Sequence, residues 1–468
     1  MSRRPAIFVF TLAIAGITSW VLGQAYTITV QRASATTHAA SPSHPPPSTA
    51  PLDPAMADLA EFMARAEKLK DNDAEDRLSL ARWARDRQMW SQALEMAKQA
   101  LYIDPYNRAA YTILQQVDEA RPLPDEPELA ASLKTEFSAK FGHEFKTRNS
   151  KHFLLCYDTT DTFAAQRGAS MEKVYDAFQF YFNMSKLRPA FLDKRLVVIC
   201  FKERDDYLTY IRSVERGDMT WSAGLYSQRT NRAAFYDDTS GPGMATFDKQ
   251  SDELKAKIDD LNKRIAQASL QGQTGLVNQL TVERNRYSQS LNRMTTTTGN
   301  IVNMMNTVKS LHEAAHQIAF NTGIQKRLVD YPLWFTEGLA CSFETEDSAG
   351  RRGPAVLNFG RIAVIKDGLK ADTITPVEKF IAQGLPDKLD ETTLGIYYAE
   401  GWALFHYLYK FDRAGTEKFL LAYQTRLPGR AISPDERRKI FTDSFGDDFE
   451  TLDKKFQAYL KALPLKPN

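Results

Sequence analysis

Cysteine is scarce in this chain. Among 468 residues there are three, Cys156, Cys200 and Cys341, and none belongs to a C-x-x-C pair. That excludes a zinc site built on cysteine pairs. The odd number leaves at least one thiol unpaired within the chain. Cys156 and Cys200 fall in strand-like segments, where a buried free thiol is the ordinary expectation. Outside the cytosol a disulfide between them stays open as an alternative. A charge excess is lacking too: 60 Lys and Arg against 58 Asp and Glu leave a net charge of +2, and no nucleic acid is expected as a partner. Long apolar runs are absent apart from one at the start, where Arg3 and Arg4 precede an uncharged, mostly apolar stretch over residues 5–23. At ~1.5 Å per residue this run is about long enough to cross a bilayer. Gly23-Gln24-Ala25 offers small residues for a signal peptidase. Residues 1–25 therefore read as a signal peptide or membrane anchor, with a slight preference for the uncleaved anchor. The rest of the chain is expected outside the cytosol, membrane-anchored or else secreted or periplasmic.

What is present is ordinary for a soluble protein, 43% hydrophobic and 25% charged, and long enough for two or three domains. Residues 26–55 are rich in Ser, Thr, Ala and Pro and read as a disordered linker. Residues 56–125 carry helical periodicity, with Ala81, Ala93, Ala100 and Pro105 at the spacing of a tetratricopeptide-like repeat. Residues 140–246 alternate strand and helix signals. They include a hairpin over residues 145–158, a helix over 162–185, a strand over 195–201, a short helix over 205–213 and a second hairpin turning at Thr230-Asn231. Residues 247–299 show apolar residues four and three apart in two registers around Gly272-Gln273-Thr274-Gly275, the pattern of an inserted antiparallel coiled-coil hairpin. From 300 to 468 the chain reads as two helices, 300–321 and 332–346, and then a helical subdomain beyond Thr373 with helices at 376–383, 397–411, 416–425, 434–444 and 448–462.

The chemistry concentrates in His312-Glu313-Ala314-Ala315-His316. Helical residues four apart share a face, with Cβ atoms ~5–6 Å apart. Two imidazoles so placed can reach one Zn²⁺ at ~2.0–2.1 Å. Glu313 stands beside the metal position, where a general base for an activated water belongs. With 7 histidines in the chain, chance would supply roughly 0.006 such motifs, so coincidence is a poor explanation. Glu337 lies 21 residues after His316, on a helix opening near Pro332, while Gly323 closes the preceding one. Two antiparallel helices with a short connection would return Glu337 to the metal. The result is a His₂Glu set with an open fourth position, the pattern of a catalytic zinc site.

The runs HEAAHQIAFNTG and PLWFTEGLACSFE closely resemble the gluzincins, the peptidase MA-like zinc metallopeptidases, and most of all a poorly characterised envelope or extracellular branch with HExxH and WxxEGLA. The resemblance is strong at these two motifs and extends more weakly over residues 145–463 without the helical hairpin. It implies an α+β zincin-like catalytic domain: a mixed sheet, an active-site helix and a C-terminal helical subdomain. It implies Zn²⁺ on His312, His316 and Glu337, Glu313 as base, and hydrolysis of a peptide or protein substrate. A tyrosine on a later helix would face the oxyanion; Tyr398 in Tyr397-Tyr398-Ala399-Glu400-Gly401 fits that segment better than Tyr397. His406 reads as a core histidine. The Asp that thermolysin-type enzymes place four residues after the ligand Glu is Cys341 here, so Glu344 becomes the candidate hydrogen-bond partner of a ligand imidazole, with Asp330 second. Residues 222–226 or their hairpin partner are the candidate edge for main-chain contacts with a substrate. The alternative function is a catalytically inactive zincin-fold scaffold that binds a protein partner through the helical hairpin or the tetratricopeptide-like module.

Overall fold

The structure is a computed structural model of the chain and describes residues 54–104, 107–183, 187, 189–215, 222–384 and 391–466. The expected anchor, residues 26–53 of the expected linker and Pro105 lie outside the described residues; residues 54 and 55 of that linker instead open a helix. Among the described residues no helix is long and apolar enough to cross a membrane.

The chain divides into two compact units. The smaller contains helices α1 (Pro54–Ala66), α2 (Ala74–Asp86), α3 (Trp90–Ile103) and α4 (Arg108–Ala120). Ala81, Ala84, Ala93, Ala97 and Ala100 have no exposed surface. Methyl-sized side chains let α2 and α3 approach closely, which is why small residues recur at this spacing. Asp73 caps α2 through Asp76 N–H and Asn107 caps α4 through Ala110 N–H, supplying acceptors for helix-end donors that have none within the helix.

The larger unit is mixed α/β. It begins with α5 (Pro127–Phe141), β1 (Lys146–Asn149), β2 (Phe153–Tyr157), α6 (Asp161–Asn183), β3 (Leu196–Phe201), α7 (Arg204–Val214), β4 (Gly224–Ser227) and β5 (Arg232–Tyr236). Its five-stranded sheet has the order β1-β2-β3-β5-β4. β2, β3 and β5 run parallel, while β1 and β4 pair antiparallel at the two edges. The parallel strands are nearly continuous apolar runs because both of their faces are covered. One face packs on α5 and α7 through Phe137, Phe145, Phe201, Tyr207 and Ile211. The β4–β5 turn is closed by Asn231, which adopts φ +57°, a conformation Asn tolerates better than most residues. Cys156 and Cys200 sit on neighbouring strands, both buried and free. Burial pushes the Cys156 thiol up to about 12.

After β5 come α8 (Met244–Leu270) and α9 (Thr274–Asn321). They are joined by three residues and pack on one another, with Leu261, Ala268 and Leu280 buried between them. The sequence reading ended this pair at 299 and began a new helix at 300; α9 instead runs unbroken through both. Thr295–Thr298 and Gly299 are poor helix formers and read as a boundary, but tertiary packing overrides local propensity. The remaining helices are α10 (Leu333–Cys341), α11 (Phe359–Ala371), α12 (Val377–Ala382), α13 (Glu391–Phe411), α14 (Arg413–Gln424), α15 (Pro434–Phe445) and α16 (Phe449–Ala462). α5 and α11 are helices that the sequence reading left unassigned; Gly360 and Gly368 dilute the helical signal of α11. α10 ends at Cys341, five residues short of expectation. α10 and α13 cross at two glycines: a Cβ on Gly338 would lie 2.3 Å from the Gly401 carbonyl oxygen, and one on Gly401 2.9 Å from that of Trp334. Trp334, Phe335, Phe405, Phe419 and Phe441 fill the space beside this crossing.

Candidate functional site

α9 lies against the sheet face opposite α5 and α7, beside edge strand β4. Its Gln317 amide donates to the carbonyls of Val197 and Asn231, which fixes the helix against β3 and the β4–β5 turn. On that helix His312, Glu313 and His316 are buried, as is Glu337 on α10. The turn between the helices uses Gly323 at φ +80°, and Pro332 stands at the start of α10. The two helices thereby bring three ligand-type residues to one point. His312 Nε2 and His316 Nε2 are 3.0 Å apart. Glu337 Oε2 lies 3.0 Å from the first and 3.4 Å from the second. Donors at ~2.0–2.1 Å from one tetrahedral ion are separated by about 3.3–3.4 Å. With both imidazoles protonated only at Nδ1 and Glu337 ionised, the converging atoms all present lone pairs and cannot satisfy one another; a cation among them would satisfy all three. His316 Nδ1, Glu337 Oε1 and both Glu313 oxygens also lack hydrogen-bond partners among the described residues. The donor set suits a metal ion.

A second set of groups holds His312 from behind. Its Nδ1 donates to Glu344 Oε1 at 2.9 Å. Glu344 also accepts from Arg361 Nη2 and Nε at 2.6 and 3.0 Å and from Asn358 Nδ2 at 2.8 Å. Cys341 Sγ is 3.9 Å from the same Nδ1, so the carboxylate is the imidazole's closer partner and the thiol a weaker one. Asp330 is elsewhere, accepting from Ile432 N–H and Arg437. Sequence reasoning reached Glu344 but not Arg361 or Asn358. The available signal was an Asn three residues before a helical Arg: Asn358 caps α11 by accepting from Arg361 N–H.

Charge in the site is strongly perturbed. Burial pushes the Glu313 carboxyl up to about 8, with the His312 charge opposing and Glu337 adding to the rise. Burial disfavours a charged His312, yet Cys341, Glu337 and Glu344 hold its pKa well above the imidazole range. Burial raises Glu344, but Arg361 and then His312 outweigh it and hold the carboxyl well below the usual range. The Glu337 and Glu344 carboxylates thus favour positive charge beside them, whether a proton or a metal ion.

Tyr398 comes to the same place. Its ring stands perpendicular to His312 with centroids 6.0 Å apart, and its buried hydroxyl lacks a hydrogen-bond partner among the described residues. Burial, followed by the charges of Glu337, Cys341 and Glu313, keeps the phenol protonated. Tyr397 packs on Phe380. His406 is remote: Nδ1 meets the Pro354 carbonyl at 3.0 Å and the ring stacks on Trp402. β4 lies directly over Glu313. A Cβ on Gly224 would come to 3.0 Å from Glu313 Cγ and Oε1, so a side chain there would push on the Glu313 carboxylate.

Residues 304–429, which contain every side chain named as a ligand, base or partner of His312, match a family described as a protein of unknown function, DUF1570. No curated protein matches the chain.

Proposed function

We propose that this chain is a zinc-dependent metallopeptidase of gluzincin type with a zincin-like catalytic domain. The observation that carries the reading is the convergence of His312, His316 and Glu337 within 3.0–3.4 Å beside a buried carboxylate, Glu313, that has no side-chain partner among the described residues. His312 Nε2, His316 Nε2 and Glu337 would hold Zn²⁺, which supplies Lewis acidity and lowers the pKa of a water in the open fourth position. Glu313 takes a proton from that water as its oxygen forms the new bond to the scissile carbonyl carbon. Glu313 then returns the proton to the nitrogen as the C–N bond breaks. The Tyr398 hydroxyl donates to the oxyanion. β4, an antiparallel edge strand over Glu313, offers main-chain groups to an extended peptide. Arg3, Arg4 and the apolar run after them support an exported, membrane-anchored or secreted location for this chemistry.

One observation favours the second reading, a scaffold that binds without hydrolysis: His312, Glu313 and Glu337 have no exposed surface and His316 only 3%. Metal content and activity separate the two. The full chain purified without chelator should carry one zinc, and Glu313→Gln should keep the zinc while losing hydrolysis across a peptide library. Stoichiometric zinc with equal inactivity in both proteins would leave the scaffold. Protein free of metal would sink the metal-site assignment itself.

A further inference from the structure

Arg361 is 5% exposed and stands in the first turn of α11. Its Nε and Nη2 bind both oxygens of Glu344, at 3.0 and 2.6 Å. Oε1 of that carboxylate also accepts from His312 Nδ1 at 2.9 Å, and Oε2 accepts from Asn358 at 2.8 Å. The four lone-pair sites of Glu344 are thereby filled. The Arg361 guanidinium carbon also lies 5.7 Å from the centroid of the Tyr398 ring, within range of a cation–π contact. One planar group therefore touches the carboxylate that orients His312 and the ring of the only tyrosine shown packing against His312.

We propose that Arg361 is a positioning residue that sets two parts of the site at once: the His312 ligand, through Glu344, and the Tyr398 phenol, through its ring face. The inference rests on the metal-site reading above. The chemistry is specific. His312 presents a lone pair at Nε2 only while Nδ1 keeps its proton, and Glu344, placed to accept from Nδ1, enforces that. The guanidinium fork holds the buried carboxylate in that place with two parallel bonds. Lysine has the charge without the fork. Without Arg361, the carboxylate turns away, the imidazole loses its fixed tautomer, and the Tyr398 ring loses the plate it rests on.

The test uses the full chain and two readouts, zinc affinity by competition with a chromophoric chelator and, at saturating zinc, kcat and KM on a peptide the wild type cleaves. Arg361→Met should lower zinc affinity by about 10–100-fold, and Arg361→Lys should fall between it and wild type. At saturating zinc both should retain KM and lose kcat, the mark of Tyr398 displaced from the oxyanion. Arg361→Met leaves a buried carboxylate unpaired and can fail to fold. The double variant Arg361→Met/Glu344→Gln removes both charges, restores folding, and should still bind zinc weakly. A double variant with wild-type zinc affinity overturns the proposal while leaving the metal site standing. Wild-type protein that binds no zinc overturns the metal-site reading itself and is recognised before any variant is compared.

Discussion

The outer and inner stretches of α9 share one continuous helix and opposite surroundings. Over residues 274–305 only Leu280 is buried, and Leu276, Val282, Ile301 and Met304 are exposed. Every residue from Lys309 to Phe320 is buried. Both stretches are polar in sequence, but polarity means different things in them. In the outer stretch a charged side chain is simply solvated. In the inner one each polar group must find a partner or serve as one. Lys309 pairs with Asp238 at 2.8 Å, both nearly without exposed surface, and lies over the Tyr236 ring at 4.0 Å. Asn306 accepts from Asp238 N–H and donates to Asp237. Arg167 donates to Thr307 and Asn303. These bonds grip the helix within three turns of Glu313, at the point where it passes from solvent into the fold.

That contrast is broken most severely at Lys309. Lys309→Met keeps the length of the side chain but leaves Asp238 as an uncompensated buried charge. Such a loss costs about 3–5 kcal/mol. Urea unfolding of the full chain should show the transition of the larger unit shifted by that amount. A change below 1 kcal/mol would mean that Lys309 is solvated like the residues of the outer stretch. Asn306→Ala comes next. It strands the Asp238 N–H and one Asp237 contact without leaving a charge, and should cost about 1–3 kcal/mol. A cost equal to that of Lys309→Met would show that the grip acts as one network.

The sequence made much of the candidate metal site legible and little of its support. His312, His316 and Glu337 are found by helix periodicity and helix-end residues, which are local physics: a four-residue spacing, Gly323 as a stop, Pro332 as a start. The β4–β5 hairpin was legible through Thr230-Asn231 for the same reason. Arg361, Asn358 and Asp238 reach the site only through tertiary contacts, and a charged residue in a helical segment reads as solvent-facing until the fold buries it. Lys309 and Ser310 are polar in type, yet both have no exposed surface. Composition reports how many charges a chain has, and not which of them the fold encloses.

The gentlest probe lies at the join itself. Gly299 sits within α9, and a Cβ there would meet nothing within 4 Å. In the gripped stretch new atoms meet neighbours; here alanine only removes backbone freedom from the unfolded chain. Gly299→Ala should therefore stabilise the outer stretch by about 0.5–1 kcal/mol. Because that stretch has little tertiary packing, it should open locally without the rest of the unit. The gain should then appear as amide exchange slowed about 2–5-fold around residues 290–303, with exchange at Lys309–Phe320 unchanged. Slowing that spreads equally through His312 and His316 would mean that α9 opens as a single unit. The grip at Asn306 and Lys309 would then mark no boundary between the two stretches.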